Sequence, residues 1–206
     1  MLRADDVVRA AAALGPLGAV DDADRAWSER TTAGWTAGRT VEHLGDALLY
    51  YAGQVARRAT DRLPPLRDGR AGPPSEQLEL VRTAAYLFAG QLRDLGDGRA
   101  WHPSGLADAE GWTGMAVTEL LVHGWDAAGL LGVSLELPGE LCARTMARTF
   151  PWVDLGLAPS DQLLLAVTGR IEVVGVPSDP EWWWQSAPLT EWDGRPRRRT
   201  VPPAWS

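Results

Sequence analysis

Apolar residues along most of the chain recur at spacings of three and four, the period of one face of a helix. Ala4–Leu14 is alanine-rich and predicts a short helix that Gly15-Pro16 stops. Asp21–Trp27 carries a second, weaker helical signal. From Thr36, a plausible N-cap, Val41, Leu44, Leu48, Tyr51 and Val55 form one apolar stripe, and the helix reaches Arg57 and Arg58, cations placed where a helix dipole favours them. Pro64-Pro65, Gly69, Gly72 and Pro73-Pro74 predict a loop over 61–74. Ser75 then reads as the cap of a helix whose stripe is Val81, Ala84, Phe88, Leu92 and Leu95. Residues 96–114 read as loop, and Gly114–Leu130 as a helix apolar on nearly every side, hence buried.

Past that point the texture becomes shorter and more broken. Pro138–Phe150 and Ser160–Thr168 predict two further helices, and Ile171–Val176 a short strand. The last thirty residues hold Trp182, Trp183, Trp184, Trp192, Trp205 and several prolines, and read as an extended segment stapled onto the rest. Three long helices separated by Pro/Gly-rich breaks predict an all-α antiparallel bundle. We expect residues 1–150 to form that bundle and 151–206 a short irregular or α/β extension.

The 206-residue length suits one sizeable core, and 45% hydrophobic residues is an ordinary globular composition. A net charge of −7 argues against a nucleic-acid surface. No apolar run is long enough for a membrane span and no secretory pattern stands out, so a cytoplasmic protein, monomer or homodimer, is expected. All twenty basic residues are arginine, which excludes lysine Schiff-base chemistry. The one cysteine, Cys142, excludes an internal disulfide and a cysteine-rich zinc site, and reads as a buried filler.

Three histidines, His43, His102 and His123, make their placement informative. Glu119 and His123 are four residues apart, on one face of the apolar helix, and Asp126 continues the stripe. Buried carboxylates and imidazoles are costly unless paired or ligated. Two readings stand side by side: a Glu–His hydrogen bond packed in the core, or a metal site built from facing helices with His43 as the third ligand. On its own helix His43 falls on the flank of the stripe, near Ala47 and Tyr50. Two histidines and one carboxylate leave coordination positions open, the pattern of a catalytic site for zinc, with iron(II) or nickel also suited. Asp46 and Asp126 are then candidates to hold the second ring nitrogens of the histidines. Tyr50 and Trp125 are candidate pocket residues. His102, in Trp101-His102-Pro103, reads as an exposed loop histidine, and Arg195, Arg197, Arg198 and Arg199 as a solvated basic tail.

The pattern Gly34-Trp35-Thr36 through His43, with Glu119-Leu-Leu-Val-His123-Gly-Trp-Asp126 some 75 residues on and Asp161–Arg170 after it, resembles the DinB-like superfamily. More closely it resembles the actinobacterial branch, the mycothiol-dependent maleylpyruvate isomerase N-terminal domain family. The resemblance implies a four-helix bundle in which His43, Glu119 and His123 bind a divalent metal, typically zinc. It implies activation of a low-molecular-weight thiol, typically mycothiol, for addition, isomerisation or transfer on a small electrophilic substrate. Two features depart from those isomerases: Met115 stands where they place an arginine, and only about fifty residues follow Pro151, where they carry a larger α/β domain. A hydrolase or natural-product tailoring enzyme that activates water is the first alternative, and a non-catalytic module that binds a small molecule the second.

Overall fold

In a computed structural model the chain is described over residues 1–29, 34–64, 72–177 and 179–199. Pro65 and Gly69 of the expected loop, and Trp205 of the tail, lie outside the described residues. The fold is all-α, with one small hairpin.

Four helices make the bundle: α1 (Asp5–Ala13), α2 (Ala37–Ala56), α3 (Pro74–Leu95) and α4 (Ala109–Leu131). Helix α2 packs against α3 and α4, and α1 packs against the same two. The stripe residues Val41, Leu44, Leu48, Tyr51 and Val55 of α2 meet Val81, Ala84, Phe88 and Leu92 of α3 in one core. Thr36 caps α2, accepting the Arg39 amide at 3.0 Å. The 21–27 segment forms only a single 3-10 turn, Arg25–Trp27, which drops Trp27 into the core.

Ser75 is not the cap of α3. That helix starts one residue earlier, behind Pro73, and Ser75 lies inside its first turn. Its amide and hydroxyl instead donate to the Asp22 carboxylate at 2.8 and 2.6 Å, so an acid from a distant segment satisfies the turn.

The expected loop 96–114 contains a hairpin, β1 (Ala100–His102) with β2 (Gly105–Ala107), and the first turns of α4. Asp108 caps α4 by accepting the Gly111 amide at 2.8 Å. Gly111 and Gly114, which give this stretch its loop-like look, are there for close packing. The Ser186 carbonyl of the tail and the Thr149 side chain press where any Cβ would sit. Gly132, in the left-handed region at φ 68°, ends α4.

Helices α5 (Gly139–Thr149) and α6 (Ser160–Val167) pack on each other and on α4. Cys142 is fully buried in α5, and burial pushes its thiol up to about 12, which removes it as a nucleophile. The strand expected at Ile171–Val176 is absent. Gly169 and Gly175 take positive φ, Val174 is almost fully exposed, and the segment runs as turns. The tail folds back as a narrow ribbon, Trp182 opposite Arg198, with the Trp183 amide donating to Arg197 and the Arg199 amide to Glu181. No helix among the described residues is long and apolar enough to cross a membrane.

One buried cation ties the tail down. Arg148, on the last turn of α5, donates to the Gln185 carbonyl at 2.8 Å, the Ser186 carbonyl at 3.1 Å and the Asp108 carboxylate at 2.5 Å. Arg148→Met leaves three acceptors short of a donor and is expected to cost about 3 kcal/mol. Urea denaturation checks this, and a loss under about 1 kcal/mol would show that the tail does not depend on that side chain.

Candidate metal centre

Helix α2 carries His43 in its second turn, and α4 carries Glu119 and His123 one turn apart in its middle. The packing of these two helices brings the three side chains together. His43 Nε2 lies 3.5 Å from Glu119 Oε2, and His123 Nε2 lies 3.2 Å from the same oxygen. The two imidazoles meet edge to face, centroids 5.2 Å apart. One ligand atom from each residue falls within 4.8 Å of the other two. The flank position of His43 is therefore the face that α2 turns toward α4.

The geometry bears on both sequence readings. Ligands bound at about 2.0–2.1 Å in a tetrahedral array stand roughly 3.3 Å apart. The two nitrogen–oxygen distances straddle that value. Glu119 Oε2 is buried and makes no hydrogen bond of acceptable geometry in spite of both short approaches. A buried carboxylate oxygen that two ring nitrogens approach without bonding it is what a ligand set for a cation presents. The donor set, two imidazoles and one carboxylate, fits zinc and leaves at least one position open.

Asp126 is placed as expected for an imidazole partner. Its Oδ2 lies 3.1 Å from His123 Nδ1, so a proton on Nδ1 leaves Nε2 with a free lone pair facing the centre. Arg170, after α6, in turn holds Asp126 through Nε at 3.2 Å and Nη2 at 2.8 Å. Asp46 lies with its carboxylate 4.0 Å from Arg39, whose guanidinium meets Glu42 at 2.9 Å.

Tyr50 and Trp125 do not line the cavity at this centre. Tyr50 lies seven residues beyond His43, about 10 Å along the helix, packed beside Tyr51. Trp125 is two residues past His123, which turns it roughly 200° away, onto the core. His102 is not exposed but fully buried, because the hairpin tucks it under Trp183 and Trp184 and against Tyr51 and Trp112. Burial drives its pKa down to about 3, so it stays neutral.

The three residues sit on the floor of a cavity of about 580 Å³. Trp35 forms one side, its ring 4.9 Å from His43. The opposite wall is the tail: Trp182, Trp183, Trp184 and Arg199, with Thr168–Arg170. The tryptophans thus both staple the tail and shape the cavity. Arg199 lies over Trp183 at 5.3 Å, so the basic tail is not simply solvated. Arg170, which holds Asp126 and lines the cavity, is the residue at the centre that sequence reasoning passed over as a candidate. Its only signal was its place at the end of the Asp161–Arg170 motif.

Residues 4–128 match the family described as mycothiol maleylpyruvate isomerase N-terminal domain. The chain belongs to that family. The matched stretch spans α1 to nearly the end of α4 and includes His43, Glu119, His123 and Asp126. In this member of the mycothiol maleylpyruvate isomerase N-terminal domain family, Arg170 and the tryptophan wall lie beyond the matched residues. No curated protein and no solved structure matches the chain.

Without a cation, the centre is an ion pair. Burial opposes charge on both partners, yet the two histidines hold Glu119 far below the usual carboxylate range, and Asp126 and Glu119 together raise His123 to about 9. A histidine whose folded pKa lies above its unfolded value of about 6.5 contributes stability that is complete below 6.5 and lost as pH rises through 9. Metal-stripped protein is therefore expected to lose on the order of 3 kcal/mol between pH 6.5 and 9.5. Melting curves of the stripped protein across that range test this, and a flat profile contradicts it. In the His123→Gln variant the slope should vanish.

Proposed function

We propose that this protein is a metal-dependent enzyme that activates a low-molecular-weight thiol, with His43, Glu119 and His123 holding a divalent ion, zinc first and iron(II) or nickel as alternatives. The convergence of three ligand atoms on the floor of a walled cavity is the observation that carries the reading. Membership of the mycothiol isomerase family supports mycothiol, or a similar thiol, as the cosubstrate.

Bound there, the ion would supply the positive charge that lowers a thiol's pKa toward neutrality. The chain's own residues do the rest. Asp126 keeps the His123 proton on Nδ1, so Nε2 faces the centre as a lone pair. Arg170 keeps Asp126 ionised and in place. Glu119 brings one negative charge, which leaves a divalent centre net positive toward an anionic sulfur. Four indoles, Trp35 and Trp182–Trp184, line the cavity and present flat apolar surface to an electrophilic substrate. The family membership favours thiol over water as the activated nucleophile, and so favours addition, isomerisation or transfer over hydrolysis. Action inside the cytoplasm, where such thiols are abundant, is part of the same proposal.

The purified chain, reconstituted with zinc and desalted, should hold about one zinc per chain by elemental analysis, and His43→Ala and His123→Ala should hold none. Mycothiol should raise the melting temperature of the zinc form and not of the stripped form. Absence of zinc from the reconstituted wild type would sink the reading, while zinc without a mycothiol effect would move it to the water-activating alternative.

A further inference from the structure

Beside Glu119 lies a cluster of buried aromatic residues with polar atoms that make no hydrogen bond. Tyr51 is fully buried, its ring 5.1 Å from Trp112, 5.7 Å from His102 and 5.9 Å from Phe88. Its hydroxyl has no partner, and neither does Glu119 Oε2. Two unpartnered polar atoms of complementary kind, a donor and a carboxylate acceptor, in one dry region need an explanation.

The register of the two helices supplies it. His43 of α2 stands opposite Glu119 and His123 of α4, while Tyr51, eight residues on, stands opposite Trp112, seven residues before Glu119. The two helices therefore run antiparallel, and His43, Ala47 and Tyr51 share one face of α2. Helical side chains lean toward their own N-terminus. The long tyrosine side chain accordingly carries its hydroxyl back along α2, from the level of Trp112 toward that of Glu119. Burial and then the Glu119 charge hold the Tyr51 hydroxyl well above the usual phenol range, in keeping with a protonated donor beside that carboxylate. His102 accepts the Ser104 amide at Nδ1, 3.1 Å away, so the neutral ring carries its proton on Nε2, a further buried donor without a partner in the cluster.

We propose that Tyr51 is a positioning residue for the candidate metal centre, donating its hydroxyl to Glu119 Oε2, the oxygen that the two imidazoles approach, and fixing its place. The inference rests on the metal reading above. A phenylalanine would fill the same core space, so the hydroxyl is the group at issue. A carboxylate oxygen has two lone pairs, and with one taken by the hydroxyl the other stays aimed at the centre, which tightens the metal without adding a contact to it.

The test is zinc affinity, measured by competition with a chromophoric chelator, together with the cobalt(II) absorption spectrum. Tyr51→Phe should bind zinc roughly 10-fold or more weakly and alter the cobalt(II) band, with the melting temperature of the stripped protein unchanged or raised. Tyr50→Phe, the neighbouring buried hydroxyl, should leave affinity unchanged. If Tyr51 acts through Glu119, adding Tyr51→Phe to Glu119→Gln should not weaken the residual affinity further, a comparison that holds even if Tyr51→Phe lowers stability. A Tyr51→Phe affinity within twofold of wild type, or full additivity with Glu119→Gln, overturns this proposal and leaves the metal reading standing. No zinc uptake by the wild type overturns both.

Discussion

A carboxylate in the middle of an otherwise apolar, buried helix is the constraint around which this structure is arranged. Glu119 sits on α4 among Met115, Ala116, Leu120 and Val122, all removed from solvent. Burying its charge without compensation would cost more than a domain of this size has to spare. The compensation comes from two directions: His123 one turn along the same helix and His43 across the α2–α4 packing. The α2–α4 interface must keep its register for these groups to meet. A slip of one turn would carry His43 about 5 Å away.

The elements that hold this register were the easiest to read from the sequence. The stripes Val41 to Val55 and Val81 to Leu95 recur at helical spacing because each helix buries only one side. What misled was local chemistry serving a distant partner. Gly111 and Gly114 look like loop residues, but they are helical positions pared down to admit Ser186 and Thr149. Ser75 looks like a cap but answers to Asp22. Ile171–Val176 has strand composition without a neighbouring strand to pair with, and β-rich composition without a ladder gives only turns.

The centre was legible in the same uneven way. Glu119 and His123 are linked by spacing that the helix itself enforces. His43 needed the tertiary packing, or a family likeness, to join them, since a flank position on one helix says nothing about which helix it faces. Tyr50 and Trp125 are near the ligands in sequence and turned away from them in space. Arg170 is far in sequence and reaches the centre through Asp126. The tail illustrates the limit most clearly. A run of tryptophans announces burial but not the surface it covers, and only the fold shows that the surface includes an open cavity.

The cavity is assembled from two stretches of chain with different obligations. Its floor belongs to α2 and α4, where a changed residue disturbs the core of the bundle. Its far wall belongs to the ribbon around Trp182–Trp184 and Arg199, which is pinned at Arg148 and Gly111, about two turns of α4 away from Glu119. Substitutions in the ribbon can therefore reshape what the cavity admits without moving the atoms that would do the chemistry. The fold thus divides the cavity between a bundle that carries the candidate ligands and a strap, held by Arg148 and by the buried Trp183 and Trp184, that closes one side of it.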